Sequence, residues 1–194
     1  MKNILICNGS LGGDEGNTQK VIAEAQKRIL DKDALVEVVH LKALLEKTLT
    51  MHELIKKMSH ADGFIFTSGT YWDSWGSPMQ YFLEAATEFE ASDIYMGKPA
   101  AVMITMHSVG GKGVLSRLQG VLNTLGFTIP PMSGLVYSLA TQLAMESESS
   151  FSEDFWSMDD VDTITHNLLV SLNNNKNYRS WPVDHKDPKR IWIK

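Results

Sequence analysis

The stretch KNILICNGSLGGDEGNT, residues 2–18, decides the fold. Residues 2–7 form an apolar run of strand length that breaks into polar Asn8-Gly9-Ser10, and the following residues 18–30 place Val21, Ile22, Ala25 and Ile29 on one helical face. Strand, glycine-rich loop and helix in that order open a sheet of parallel strands joined by helical crossovers. The order then repeats. Residues 35–41 read as a second strand, and Thr50-Met51-His52-Glu53 has the spacing of a capping box opening a helix with Leu54, Ile55 and Met58. Residues 63–67 make a third strand. Ser77-Pro78-Met79-Gln80 starts another helix, with Ser77 as cap, proline where a missing N–H is harmless and Gln80 closing the box; Met79, Phe82, Leu83 and Ala86 are its buried stripe. Residues 99–106 are the fourth strand, and a helix bearing Val114, Leu115, Leu118, Leu122 and Leu125 stops at Gly126. A fifth strand lies within residues 127–137, and Ser157-Met158-Asp159-Asp160 caps a last helix with Val161, Ile164, Leu168 and Leu172. Five strands alternating with five helices predict an α/β fold: a five-stranded parallel sheet with helices on both faces, in three layers.

Composition agrees with one globular domain. The chain has 194 residues, 43% of them hydrophobic and 21% charged, too apolar for disorder and without a repeat or low-complexity segment. Its apolar runs are too short to span a bilayer, and residues 1–7 lack the pattern of a secretion signal, so a cytoplasmic protein is expected. The single cysteine allows no intramolecular disulfide. A net charge of −5 argues against nucleic acid or anionic membrane as partner.

In a parallel sheet, ligands bind at the carboxyl ends of the strands, here the loops of residues 8–18, 68–77 and 106–113. The first offers four glycines, the Ser10 and Thr18 hydroxyls, the Asn17 amide and a helix start, which together suit a phosphate. It is no dinucleotide fingerprint, because Leu11 stands where the second glycine belongs, and Gly111-Lys112-Gly113 is no Walker A. In the second loop Tyr71, Trp72 and Trp75 suit a planar ring, although Trp75 is better placed to staple the following helix. The third carries Gly110, Gly111 and Gly113, which let backbone approach a ligand edge. Rival chemistries on the same architecture fail residue by residue. Cys7 is followed six positions later by Gly13 and not by the arginine a low-molecular-weight phosphatase needs, and reads as a buried hydrophobe. Asn8 and Ser68 stand where a phospho-accepting receiver needs acids. His166 and Asp162, one helical turn apart, read as surface residues and not as partners for a Ser10 nucleophile. The six histidines are scattered, so no metal site is expected.

Taken together, Gly9-Ser10 through Asn17-Thr18, Tyr71-Trp72-Asp73-Ser74 with Ser77-Pro78, and Gly97-Lys98-Pro99 leading to Gly110-Gly111 resemble the flavodoxin-like NAD(P)H-dependent FMN reductase family over residues 2–131. The resemblance implies a flavodoxin-like fold with FMN as cofactor and NADH or NADPH as co-substrate. It places the FMN phosphate at Ser10, Gly16, Asn17 and Thr18. The flavin ring would be edged by Gly69, Thr70, Tyr71, Trp72 and Asp73, and by Met106, His107, Gly110 and Gly111. It implies that the flavin carries the chemistry with no catalytic side chain, and that hydride passes to a small acceptor such as a quinone, azo or nitro compound, or free flavin. His107 reads either as an acid or as a hydrogen-bonding rim residue. The alternative is a flavodoxin-like electron carrier or non-catalytic FMN-binding module. Two features depart from the family pattern: the loop holds Asp14-Glu15 and no basic residue, and Gly69 stands where proline is common.

The charge is unevenly divided. No lysine or arginine lies between Arg117 and Lys176, while Glu146, Glu148, Glu153, Asp154, Asp159, Asp160 and Asp162 are acidic. The last stretch is basic and aromatic, with Tyr178, Trp181 and Trp192. Residues 1–172 are expected to form the FMN-binding domain, and residues 173–194 an arm docking on the body or on a second subunit of a homo-oligomer, a dimer or tetramer.

Overall fold

The computed structural model describes residues 1–147, 156–173, 177–184 and 186. β1 (Asn3–Asn8) is buried along five of its six residues, as a strand covered on both faces must be. It pairs in parallel with β2 (Leu35–His40) on one side and β3 (Gly63–Gly69) on the other. Beyond β3 lie β4 (Ala100–Met106) and β5 (Gly134–Ser138), also parallel, giving the order β2-β1-β3-β4-β5. The seven helices among the described residues are α1 (Thr18–Leu30), α2 (Lys42–Leu45), α3 (Met51–His60), α4 (Ser77–Ala86), α5 (Gly111–Leu125), α6 (Leu139–Glu146) and α7 (Asp160–Ser171).

The pleat sorts the core into two layers. Ile4, Ile6, Ile65 and Met103 point to the face covered by α1 and α7, where Val21, Ile22, Val161, Ile164 and Leu168 complete a cluster. Leu5, Cys7, Phe64, Phe66, Val102 and Ile104 point to the other, under α3, α4 and α5. Phe127 meets Phe64 and Phe66 edge-on there, at 5.1 and 5.4 Å between ring centres. The three layers are those that the alternation of strands and helices predicts, and the strand order is that of the flavodoxin-like fold the family resemblance implies.

Local signals differ in how they were met. The Thr50–Glu53 capping box forms in full: Thr50 Oγ1 accepts from the Glu53 N–H at 3.2 Å and Glu53 Oε2 from the Thr50 N–H at 2.8 Å. Gly126 ends α5 at φ 118°. At α4 the expected cap is corrected. Gly76, not Ser77, is the N-cap, with no side-chain capping bond, and Gln80 Oε1 instead accepts from the Trp75 indole at 2.8 Å, so Trp75 does staple the helix. Two helices were not expected: α2 is a single turn, and α6 buries none of its residues, so neither shows an apolar stripe. β5 begins only at Gly134, because Pro130 and Pro131 have no N–H for a ladder. Ahead of α7, the Ser157 N–H donates to Asp160 Oδ2 at 2.6 Å and the Asp159 N–H donates to Ser157 Oγ at 3.2 Å, but the N-cap position itself is Asp159 and not Ser157.

Of the charged and aromatic residues singled out in the last third of the chain, Glu148, Glu153, Asp154, Lys176 and Trp192 lie outside the described residues. Trp181 is described: its indole N–H donates to Glu90 Oε1 at 2.7 Å. Residues 178–181 line a groove of about 170 Å3 with the end of α5, at the end of the sheet away from the glycine-rich loop.

Candidate functional site

The chain reverses its direction across the sheet between β1 and β3, and in such sheets a crevice opens where the strand order switches. Here it is a cleft of about 250 Å3 lined by Ser10, Gly12, Gly16, Asn17, Gly69, Thr70, Tyr71, Thr105, Met106 and His107. Eight of the thirteen residues expected at the cofactor lie on this one surface: Ser10, Gly16, Asn17, Gly69, Thr70, Tyr71, Met106 and His107. Thr18, Trp72, Asp73, Gly110 and Gly111 stand around it without lining it.

The first loop is organised by a residue that sequence reasoning did not single out as functional. Asn8 is fully buried at the end of β1. Its Oδ1 accepts from the Ser10 N–H at 3.0 Å, from Thr18 Oγ1 at 3.3 Å and from Thr67 Oγ1 at 3.1 Å, while its Nδ2 donates to the Gly13 carbonyl at 2.9 Å. Thr18 thus turns its hydroxyl inward to Asn8, not toward the cleft. Gly12 and Gly16 nearly touch: a Cβ on Gly12 would stand 2.7 Å from the Gly16 Cα. Asn17 occupies the N-cap of α1 with no side-chain capping bond, and among the described residues the N–H groups of Leu11, Gly12 and Asn17 have no hydrogen-bond partner. Unpaired amides beside a helix N-terminus attract an anion.

Electrostatics around this loop are mixed. Asp14 and Glu15 sit in a single 3-10 turn, Gly13–Glu15, and are exposed. Lys42 of α2 passes over that turn and pairs with Glu46 at 3.0 Å. The Glu46 hydrogen bond, with smaller help from Asp14 and Glu15, holds the Lys42 ammonium above its ordinary pKa. The loop therefore has a cation close to its acidic pair, although that cation comes from α2.

The second loop is a tight hairpin. The Tyr71 and Ser74 backbones exchange hydrogen bonds at 2.8 and 2.9 Å, and Trp72 and Asp73 between them both take positive φ, 47° and 57°. Two left-handed residues at the centre define a type I′ turn, a conformation that side chains other than Asn, Asp or Gly resist. It is held by the Arg117 guanidinium, which donates to the Asp73 carbonyl and lies 5.5 Å from the Trp75 ring centre. Gly110, at φ 86°, completes the support, since a Cβ there would fall inside the Asp73 carboxylate. Trp72 is left fully exposed at the tip, while the Tyr71 ring folds back over Gly69. Thr70, between them, bonds its N–H to the Thr105 carbonyl at 2.8 Å, but its buried hydroxyl has no partner among the described residues.

In the third loop the His107 carbonyl is occupied by the Ala140 N–H at 2.8 Å and the Ser138 hydroxyl at 3.3 Å, which ties the loop to α6. The imidazole itself is exposed at the mouth of the cleft. Gly111 gives way to Met106, whose Sδ would stand 2.8 Å from an added Cβ. Cys7 is fully buried below the loop, and burial pushes its thiol far above the ordinary range, which removes it as a nucleophile. Asp162 pairs with Lys32 at 2.6 Å and belongs to the surface of α7.

An open cleft at the β1/β3 switch point, with unpaired amides at the start of α1 and an unpaired buried hydroxyl on its wall, sits on a flavodoxin-like fold. The chain belongs to the NADPH-dependent FMN reductase family, whose model matches residues 1–142. Among solved structures, RosB with bound 8-demethyl-8-formylriboflavin-5′-phosphate superposes with a TM-score of 0.73 at 14% identity, over 97% of this chain and 93% of that one. The apo form of the NADH:FMN oxidoreductase EmoB gives 0.64 at 19% identity, over 92% of each chain. FerB, an NAD(P)H:(acceptor) oxidoreductase from Paracoccus denitrificans, gives 0.63 at 18%, over 88% of this chain and 99% of that one. In sequence, no curated protein matches. The protein is an NAD(P)H-dependent flavin oxidoreductase that uses FMN.

Proposed function

We propose that the switch-point cleft holds FMN and that electrons leave it to a small planar acceptor: a quinone, an azo or nitro compound, or a free flavin. The observation that carries this reading is the Thr70 hydroxyl, buried and unpaired on the wall of a cleft that Gly12 and Asn17, with their unpaired amides, also line. In the proposed assignment Ser10, Gly16, Asn17 and the N–H groups of the α1 start hold the phosphate. Thr18 acts through Asn8 and its backbone. Gly69, Thr70 and Tyr71 edge the ring from one side, and Met106 and His107 from the other. Trp72 and Asp73 form the rim, with Gly110 and Gly111 setting the backbone of the third loop. When bound, FMN takes up hydride from NADH or NADPH and returns electrons to the second substrate. The chain's own part is to bind, orient and exclude water, and no side chain is assigned as nucleophile or acid. A cytoplasmic homo-oligomer, dimer or tetramer, acting on small molecules and not on nucleic acid or membranes, fits the net charge of −5. It also fits the finding that no helix among the described residues is long and apolar enough to cross a membrane. Residues 1–172 make the FMN-binding domain, with residues 173–194 as its arm.

Anaerobic mixing of the FMN-loaded protein with NADH and with NADPH tests the reading. Bleaching of the yellow absorbance within seconds to minutes, restored by a quinone, is the expected result. No bleaching by either nucleotide would turn the reading toward an electron carrier.

A further inference from the structure

We infer that His40 is a positioning residue for the phosphate loop, holding the Asn8 amide in its loop-shaping orientation only while the imidazole is uncharged. The inference rests on the FMN reading of that loop. It begins with the orientation of Asn8, which is fixed without reference to His40. The Ser10 N–H can only donate and the Gly13 carbonyl can only accept, so the atom 3.0 Å from the first is the amide oxygen and the atom 2.9 Å from the second is the nitrogen. That nitrogen lies 3.0 Å from His40 Nδ1. A donor faces Nδ1, so Nδ1 presents its lone pair and the proton of the neutral ring sits on Nε2.

The pairing is built into the sheet. Asn8 and His40 are register partners at the ends of β1 and β2, and the Leu41 N–H donates to the Asn8 carbonyl at 2.8 Å. Protonation of the ring would set N–H against N–H. The imidazole would then turn away, or the amide would reorient and surrender the Ser10 N–H and the Gly13 carbonyl. Either change loosens residues 10–13, where the cleft begins. Charged groups on the surrounding elements are Asp14 and Glu15 in the turn, Lys42 and Glu46 on α2, and Lys20 in the first turn of α1. Glu37 lies on β2 itself, paired with Lys57 at 2.6 Å. All remain in a His40 variant, so a comparison of variants isolates the ring.

The experiment is an FMN fluorescence titration at about pH 7.5 and about pH 5.5, on either side of the range in which imidazoles protonate, with the wild type, His40→Asn and His40→Ala. Asparagine places an amide oxygen where Nδ1 stands and does not titrate. The phosphate of FMN takes up a proton near pH 6, but equally for all three proteins. Between the two conditions the wild-type affinity is expected to fall by about tenfold more than that of His40→Asn, the limit for one linked proton being tenfold per pH unit. His40→Ala is expected to bind more weakly at both, and His40→Asn to recover most of that loss. Nitrogen NMR of the labelled wild type gives a second reading that needs no variant: an unprotonated, accepting Nδ1 is expected at neutral pH. Superimposed wild-type and His40→Asn profiles, or a ring protonated on Nδ1 at neutral pH, would overturn the role of His40 and leave the FMN reading standing. Failure of the wild type to bind FMN at neutral pH would overturn both.

Discussion

A buried hydroxyl without a partner loses its hydrogen bonds to water and regains nothing, a penalty of about 1–3 kcal/mol. Thr70 is in that position on the wall of the cleft. Its replacement by valine keeps the shape and removes the unpaired group. Thr70→Val is therefore expected to leave the cofactor-free protein as stable or up to about 1 kcal/mol more stable in urea unfolding, while weakening FMN binding by about 5–10-fold, one neutral hydrogen bond. A loss of stability without loss of affinity would mean that the hydroxyl serves the fold. Asn8 is the opposite case, a buried amide with every one of its polar atoms used. Its contribution is to turn four segments of chain that meet at the sheet edge into one rigid loop.

At the scale of elements, α3 is the helix whose start depends most on a side chain. The Thr50 N–H and hydroxyl both donate to the Glu53 carboxylate and hold it below its ordinary pKa. A carboxyl lowered on folding contributes stability above its unfolded value, and loses that contribution as the pH falls through the folded value. Thr50→Ala is expected to cost about 1 kcal/mol at neutral pH. Glu53→Gln should flatten the acid limb of the stability curve between about pH 5 and pH 3, as followed by urea midpoints. This box was legible in the sequence because it is made by residues three apart. The same locality explains the rest of what could be read there: β1, α1 and the end of α5 at Gly126 announce themselves through period and punctuation. The α4 start was misread because Ser77 and Gln80 have the right spacing, but Trp75, five residues back from Gln80, competes for its amide. The cleft was legible as three loops and eight lining residues, whereas His40, Thr67 and Thr105 were not. They reach the site through strand register, across 32 and 59 residues for the partners of Asn8, and no local pattern encodes that.

For the molecule as a whole, residues 178–181 and the cleft lie at opposite ends of the sheet. The Trp181 indole donates to Glu90, and residues 178–181 line a groove with the end of α5. Removal of residues 178–194 is expected to lower the melting temperature by a few degrees, about 2–4 °C per kcal/mol for a chain of this size, with FMN affinity unchanged. A truncated protein that melts with the full chain would show these residues to be idle, and one that lost FMN would show the two ends to be coupled. The strand order carries one more consequence, for how the chain reaches this state. No two neighbouring strands of the sheet are joined by a hairpin, and every pairing spans a crossover. Loop-closure entropy must be met before any ladder forms, which places refolding among the slower single domains, in milliseconds to seconds. On the ribosome β1 emerges before the other four strands, yet it occupies an interior position and gains its second neighbour only when residues 63–69 appear. Until then one edge of a strand with four consecutive apolar residues, Ile4 to Cys7, is open, and that interval is when the nascent chain is most exposed to aggregation.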